Sequence, residues 1–112
     1  WGYCSSCTEV ALIACGQWVT CPTWSDGSNQ DCTKAPTLSS NSWGGGQGDS
    51  FYNGVINAWH AAGITPVFAI GNSGPLCSTA NSPGDQNVIS VGASTAANGL
   101  ALFSSKGPSI EG

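Results

Sequence analysis

DSFYNGVINAWHAAGITPVFAIGNSGP, residues 49–75, is the stretch that decides the fold. Its first half has apolar residues at helical spacing behind an Asp49 or Ser50 cap, and it ends at Gly63, where a left-handed C-cap belongs. The apolar stripe of this helix comprises Phe51, Val55, Ala58, Trp59 and Ala62. Its second half, residues 64–70, is a nearly continuous apolar run that predicts a strand covered on both faces in a parallel sheet.

The segments on either side of this stretch complete an α/β unit. Residues 37–42 predict a strand that ends at three consecutive glycines, and residues 88–91 predict another apolar strand. We expect an edge strand at residues 100–103. A strand, helix, strand order defines a βαβ unit with a right-handed crossover, so the predicted fold class is α/β with a parallel sheet.

The first 36 residues have a different character and form a cysteine-rich helix and loop ahead of the βαβ core at residues 37–109. A short amphipathic helix is predicted between Cys7 and Trp18, behind a Thr8 cap. Its apolar residues at helical spacing are Val10, Ala11, Ala14 and Trp18. Residues 21–36 are dense in Pro, Gly, Asn and Asp, which predicts a surface loop.

The cysteines indicate an oxidising, extracellular setting. There are six, an even number for a short Gly-rich chain, and they are Cys4, Cys7, Cys15, Cys21, Cys32 and Cys77. The sequence does not choose among their pairings, although Cys77 ties to the N-terminal group if all six are paired. A zinc site on the pair Cys4 and Cys7 is the alternative, but it lacks the second close pair or the histidines that zinc requires.

Charge excludes two classes of partner. Charged residues make up 7% of the chain, and the net charge of −4 includes only two basic side chains, so we expect no nucleic acid and no membrane as partners. No apolar run approaches transmembrane length. The chain opens on Trp1 without a signal-like segment, so we interpret it as a mature or excised segment. No cofactor is predicted, with calcium in the loop from Asp26 to Asp31 as the alternative.

Two glycine-containing loops follow the predicted strands, at residues 42–48 and 71–75. Because ligands bind at the carboxyl ends of parallel strands, these loops predict a ligand cleft, in which Asn72 supplies a side-chain N–H donor. The alternatives are that the loops are only tight turns and that Asn72 bonds its own backbone. A phosphate-binding loop is disfavoured, because no Gly-Lys-Ser/Thr ending exists and Asp49 stands where a phosphate would arrive.

Several ordered motifs share one resemblance. They are Asn41-Ser42-Trp43-Gly44-Gly45, Gly71-Asn72-Ser73-Gly74-Pro75, Ser82-Pro83-Gly84-Asp85, the run Asn87 to Ala93, and the run Phe103 to Ser109. In this order they resemble the subtilase peptidases, particularly the bacillopeptidase-F-like branch, over residues 8–109. The resemblance implies a partial subtilisin-like fold and a secreted serine endopeptidase that acts on polypeptides through an acyl-enzyme.

The resemblance also implies roles for individual residues. Asn72 would donate to the oxyanion of the tetrahedral intermediate, and Ser42-Trp43-Gly44 would pair with the substrate backbone. Ala69, Ile70 and Gly71 would form one wall of the pocket for the residue before the scissile bond. Asn81 would lie near the floor of that pocket. The Trp43 side chain fits equally well at the cleft or in the core.

The family's Asp, His and Ser triad is not recognisable in the sequence. No histidine precedes residue 42, and the polar helix face predicted for His60 makes it a solvated side chain. Ser94 has no evident base. We therefore expect the triad, with the remainder of the peptidase domain, to lie outside this chain, which alone would be inactive. The alternatives are a triad-less, disulfide-stapled module that binds peptides or a protease, and a structural domain whose cleft is vestigial.

Overall fold

A computed structural model describes residues 6–110 of the chain as a three-stranded parallel sheet with two α-helices. The elements in chain order are α1 (Glu9–Thr20), a 3-10 helix (Cys32–Lys34), β1 (Leu38–Asn41), α2 (Asn53–Ala61), β2 (Thr65–Ala69) and β3 (Ile89–Val91). The predicted α/β class and the parallel sheet are confirmed.

The central strand is β2, with β1 and β3 on its two sides. Leu38 in β1 lies opposite Thr65, and the pairing continues to Asn41 opposite Phe68. On the other side, Val67 lies opposite Ile89. Since all three strands run in the same direction, their carboxyl ends lie at one edge of the sheet.

Helix α2 begins later than its cap residues suggested and ends where the sequence predicted. Asp49 accepts the Phe51 N–H at 3.1 Å, and the helix proper starts at Asn53. At the other end Gly63 adopts a φ of 76°, and the N–H of Ile64 donates to the carbonyl of Trp59 at 2.8 Å. The left-handed conformation favours glycine, so the C-cap prediction is confirmed.

The face of α2 that packs on the sheet differs in part from the predicted stripe. Val55 and Trp59 are buried as expected, whereas Ala58 and Ala62 are exposed. Their places are taken by Tyr52 and Ile56, both of which are 2% exposed. These bulkier side chains bury more apolar surface than two alanines, which decides the rotation of the helix on the sheet.

An aromatic cluster forms the core between the helices and the sheet. Tyr52 makes edge contacts with Trp59 at 6.0 Å and with Trp43 at 4.9 Å between ring centroids. Trp43 also packs edge-on against Phe68 of β2 at 5.2 Å. Each buried aromatic ring of this kind contributes about 1.5–3 kcal/mol by leaving water, and edge-to-face contacts add to that.

Helix α1 docks on α2 through a glycine. The Thr8 side chain caps α1 by accepting the Ala11 N–H at 3.2 Å, as predicted. Gly16 is the buried residue of the helix, and its carbonyl accepts the indole N–H of Trp59 at 2.9 Å. A Cβ at Gly16 would overlap the Tyr52 hydroxyl, so the absence of a side chain permits the close approach.

The stripe predicted for α1 is wrong, because its four residues, Val10, Ala11, Ala14 and Trp18, are all exposed. The opposite face packs on the core, and its partly buried members are Leu12, Ile13 and Val19. Both faces carry apolar residues at helical spacing. Docking through Gly16 selects the second face.

The sheet is covered on one face only within the described residues. In β2, Pro66 and Phe68 are buried, whereas Thr65, Val67 and Ala69 on the other face are half-buried. The prediction of a strand covered on both faces is therefore wrong for this part of the chain. The edge strand β3 is also open within the described residues, since each of its residues is exposed.

The predicted strand at residues 100–103 is not formed. Leu100 makes a single antiparallel bridge with Ser94, and Leu102 and Phe103 lie in a turn that is exposed to solvent. The backbone of this segment instead bonds the loop after β2, where Phe103 accepts the Gly74 N–H at 3.0 Å. Apolar composition alone misidentified a turn as a strand.

The prediction of disulfides is confirmed for three of the cysteines. Cys21 and Cys32 form a disulfide across the loop after α1, and Cys7 is also disulfide-bonded. Cys15 and Cys77 are free and exposed, so the condition under which Cys77 was expected to tie to the N-terminal cysteines, that all six are paired, is not met. Cys4 lies outside the described residues. Neither helix in residues 6–110 is long and apolar enough to cross a membrane.

Candidate functional site

A cleft of about 300 Å³ lies at the carboxyl edge of the sheet, between the loops that follow β1 and β2. It is lined by Ser42, Trp43, Gly44, Ala69, Gly71, Asn72, Ser73 and Asn81. Seven of these eight residues were candidates from the sequence, and the eighth, Ser73, was not. The structure therefore brings together residues from three separate segments of the chain.

Asn72 presents an unpartnered amide to the cleft. Its side chain is exposed and makes no hydrogen bond with any other residue in the described range 6–110. The interpretation that Asn72 bonds its own backbone in a turn does not match this geometry. An amide N–H in this position is a donor for an anionic or carbonyl oxygen that enters the cleft.

Gly71, next to Asn72, is required for the close approach of two cleft walls. Its φ of 111° lies in a region that side chains disfavour. A Cβ at this position would overlap the Asn81 side-chain oxygen and would come within 2.9 Å of the Ser105 hydroxyl. Any larger residue at Gly71 would therefore displace the walls of the cleft.

Asn81 connects both walls through its side chain. Its amide nitrogen donates to the carbonyl of Gly46 at 2.9 Å, and its amide oxygen accepts the Ser73 hydroxyl at 3.0 Å. The Asn81 N–H also donates to the carbonyl of Ile70 at 2.9 Å. Because both ends of the amide are bonded, Asn81 fixes the separation of the walls in addition to lining the cleft.

A partly buried hydrogen-bond cluster supports the loop after β1, and sequence patterns gave no indication of it. The Asp85 carboxylate accepts the Gly48 N–H at 2.7 Å and the Ser82 hydroxyl at 2.9 Å. Ser82 is 1% exposed, and its hydroxyl accepts the N–H of Asp49 at 2.9 Å. Gly45 and Ser82 also form an antiparallel bridge. The cluster thus joins two loops whose bonded residues are more than 30 positions apart in the sequence.

The segment Ser42 to Gly44 continues beyond the ladder between β1 and β2. That ladder ends at the Asn41 and Phe68 pair, and no turn or loop bond in residues 6–110 involves the backbone of this segment. Its backbone groups are available to pair with an extended chain. The Trp43 ring packs in the core and also lines the cleft, so both interpretations of that side chain hold.

Residues after β3 support the loop that carries Asn72. The Ser105 N–H donates to the carbonyl of Gly71 at 3.0 Å, and its hydroxyl accepts the Ser73 N–H at 2.9 Å. Ser105 is 3% exposed, so these bonds are shielded from water. Ile70, a candidate from the sequence, is not among the residues that line the cleft, and its backbone bonds β3 and the Asn81 loop.

No residue that lines the cleft can serve as a base for a serine nucleophile. His60 is exposed on α2, with Nε2 at 2.9 Å from the carbonyl oxygen of Asn87, as its predicted polar position suggested. Ser94 pairs with Leu100 and is also not part of the lining. The lining therefore offers an amide donor for an entering oxygen, but no base that could activate a serine.

The loop proposed as a calcium alternative uses its carboxylates internally. Asp26 accepts from the N–H of Ser28 at 2.9 Å and from its hydroxyl at 2.6 Å, and Asp31 accepts from the N–H of Thr33 at 3.0 Å. These bonds, led by the hydroxyl bonds, lower the pKa of both carboxyls. Across residues 6–110, no three His, Cys, Asp or Glu side chains are grouped to hold a metal. The absence of a cofactor, with calcium as the alternative, stays a prediction.

Comparisons with known proteins agree on one family. The protein-family model described as the subtilase family matches residues 16–112 of this chain. Bacillopeptidase F of Bacillus subtilis (strain 168) is 37% identical over 111 residues, which is 91% of this chain and 8% of that protein. Among solved structures, sphericase has a TM-score of 0.62 at 27% identity, covering 87% of this chain and 30% of its own. A cold-adapted subtilisin-like serine proteinase has a TM-score of 0.68 at 24% identity, and the match covers 92% of this chain and 34% of that proteinase.

Proposed function

The chain belongs to the subtilase family, and on that basis we propose that it carries the substrate cleft and oxyanion hole of a secreted subtilisin-like serine endopeptidase. The observation that carries the proposal is the exposed, unpartnered amide of Asn72 in a cleft at the carboxyl edge of the sheet. Since the chain spans 8% of bacillopeptidase F and about a third of the solved structures, the activity of the whole protein is part of the proposal.

In the proposed reaction, Asn72 acts on the charge that develops when a serine attacks the scissile carbonyl. Its amide N–H stabilises the oxyanion of the tetrahedral intermediate more than the neutral carbonyl, which lowers the barrier. The acyl-enzyme is then hydrolysed by water. The Asp, His and Ser that supply the nucleophile and the base come from chain outside residues 1–112.

The remaining cleft residues position the substrate. The free backbone of Ser42 to Gly44 pairs with an extended peptide as an added strand, which aligns the scissile bond without requiring particular side chains. Ala69 and Gly71 form one wall of the pocket for the residue before that bond. Asn81 occupies part of this pocket and restricts it, since its amide is held between Gly46 and Ser73.

Secretion is supported by the redox state of the cysteines. The disulfide between Cys21 and Cys32 requires an oxidising compartment, and Cys7 is also paired.

Substitution of Asn72 tests the proposed role. In the full-length protein we expect Asn72→Ala to lower kcat by about 10²–10³, the loss seen when a subtilisin loses its oxyanion donor, with little change in KM. The matched control is Asn57→Ala, an exposed asparagine on α2 outside the cleft. An unchanged kcat for Asn72→Ala, or an equal loss in the control, would exclude Asn72 as the oxyanion donor.

A second candidate function is a peptide- or protease-binding module without a triad. The observation that favours it is the lack of a base among the residues that line the cleft. Intact mass of the native protein under reducing and non-reducing conditions, with hydrolysis of an unspecific peptide, separates the two. A larger mass with cleavage that a serine-directed phosphonate blocks supports the peptidase. A mass that matches 112 residues and no cleavage support the binding module.

A further inference from the structure

Trp24 is displayed on the loop between α1 and β1. It is 66% exposed, whereas Trp59 is 1% exposed in the core and Trp43 packs against that core. Exposed tryptophan is uncommon away from binding surfaces, because its large apolar face gains free energy by leaving water. The proposed peptidase cleft does not use this residue.

The loop that carries Trp24 is constrained by a disulfide and by hydrogen bonds. The disulfide between Cys21 and Cys32 closes it. Inside the loop, the Trp24 N–H donates to Ser28 and its carbonyl accepts from Gly27, both at 2.9 Å. The indole N–H of Trp18 donates to the carbonyl of Thr23 at 3.0 Å, which ties the loop to α1. A ligand would therefore bind a preformed surface at a low cost in conformational entropy.

Polar groups with unused hydrogen-bonding capacity surround the Trp24 ring. A cavity of about 330 Å³, which we call the Trp24 pocket, contains this ring. Its lining residues are Pro22, Thr23, Trp24, Asn29, Asp31 and Lys34. One carboxylate oxygen of Asp31 bonds Thr33, and the other has no partner in residues 6–110. Within the same range, no hydrogen bond uses the Lys34 ammonium or the Asn29 amide oxygen. Both a donor and an acceptor thus flank the aromatic face.

The Trp24 pocket and the cleft have no lining residue in common. The pocket is formed by residues that precede β1 in the chain, whereas the cleft begins at Ser42, immediately after its last residue. Both can be occupied at once.

We propose that the Trp24 pocket binds a neutral sugar ring of an oligosaccharide. The flat indole face matches the C–H face of a pyranose, and adjacent hydroxyls on the ring can donate to Asp31 and accept from Lys34. Because Asp31 and Lys34 carry opposite charges, the lining has no net charge that would favour an anionic or a cationic ligand. A polyhydroxylated, uncharged ligand can form hydrogen bonds with both Asp31 and Lys34. The site would hold the protein on a glycan while its cleft stays open.

Calorimetric titration of the full-length protein with cellohexaose, laminarihexaose and N-acetylchitohexaose tests the proposal, because binding is measured without reference to peptidase activity. We expect at least one hexaose to bind, and Trp24→Ala to weaken that binding by at least about tenfold. Trp24→Phe retains an aromatic face and should lose less. Lys34→Gln should weaken binding by about threefold to tenfold, because one charged donor is replaced by a neutral one.

Two variants guard against a loss that reflects misfolding. Asn29 has a φ of 52°, so Asn29→Gly keeps the backbone conformation while it removes the amide, and it should weaken the hexaose. Leu76→Ala, an exposed apolar residue on another loop, is the matched control and should bind as the unaltered protein does. Absence of binding by all three hexaoses, full affinity in Trp24→Ala, or Trp24 shielded from acrylamide quenching would overturn the proposal. Preferential binding of a charged peptide at Trp24 would overturn it as well.

Discussion

The core beneath α2 and the cleft at the carboxyl edge of the sheet are held together by different forces. In the core, Tyr52, Trp59 and Phe68 contact one another ring to ring, and their burial removes apolar surface from water. In the cleft, the walls are joined by side chains such as Asn81 and Asp85 that bond backbone groups of distant loops. The core therefore contributes most of the folding free energy, whereas the hydrogen bonds of the cleft fix the positions of its walls.

The two regions also differ in the polar groups that they leave open. The polar atoms of the core aromatics are paired, since the Tyr52 hydroxyl donates to Leu12 and the Trp59 indole donates to Gly16. In the cleft, Asn72 has no partner among residues 6–110. An unpaired donor is tolerated there because water reaches it, whereas in the core it would cost free energy. A substitution should therefore affect either stability or substrate handling, according to its region.

The largest expected effect is the loss of stability in Phe68→Ala, which changes the core and none of the residues that line the cleft. Phe68 is 1% exposed and contacts Trp43, Tyr52 and Trp59, so truncation leaves a cavity in the aromatic cluster. We expect the free energy of unfolding to fall by about 3–5 kcal/mol, measured by denaturant titration. The control is Leu102→Ala, which removes a side chain that is 79% exposed and should change little. Similar losses for both variants would contradict a core centred on Phe68.

The sequence predicted the elements that depend on local chemistry. Gly63 identified the end of α2, Thr8 identified the start of α1, and the apolar run before Gly71 identified β2. Seven of the eight residues that line the cleft were also predicted, because loops after parallel strands converge at one edge and the subtilase resemblance assigned residues to them. Their roles in substrate binding stay predictions.

What the sequence did not predict depends on contacts between distant segments. Helix α1 has apolar residues on two faces, and only docking of Gly16 against Tyr52 decides between them. The bond from Asp85 to Gly48 joins residues 37 positions apart, and no local pattern indicates it. Residues 100–103 have strand-like composition, but their backbone supports the loop at Gly74.

An alkaline titration should lower the stability of the core through Tyr52. Burial, with a second contribution from the charge of Cys15, raises the pKa of Tyr52 to about 12 from 10.0. The unfolded chain loses this proton at a lower pH than the folded chain, so the stability is fully present below pH 10.0 and is lost as the pH rises to about 12. Two units correspond to about 2–3 kcal/mol in the free energy of unfolding.

Tyr52→Phe isolates this effect from other groups that titrate in the same range. The variant loses the hydrogen bond to Leu12 at 3.1 Å, so its stability at neutral pH falls by about 1 kcal/mol. Between pH 10 and 12 its free energy of unfolding should decline less than that of the unaltered protein, by denaturant titration at each pH. Parallel declines in the two proteins would show that Tyr52 does not carry the alkaline loss.

The effect that is most specific to the cleft is expected from Asp85→Ala. Removing the carboxylate leaves the Gly48 N–H and the Ser82 hydroxyl without their acceptor and loosens the loop beside Ser42 to Gly44. In the full-length protein we expect a KM for an extended peptide that rises by about tenfold with a smaller change in kcat, and a stability loss of about 1–2 kcal/mol.

Asp85→Asn is the conservative partner of that variant, because an amide oxygen in the same position can accept from both Gly48 and Ser82. It should restore most of the affinity for the peptide, although the charge is gone. If Asp85→Asn is as impaired as Asp85→Ala, the negative charge matters and not the acceptor geometry. If neither variant changes KM, the cleft holds its shape without Asp85, and the separation between a packed core and a hydrogen-bonded cleft must rest on Asn81 instead.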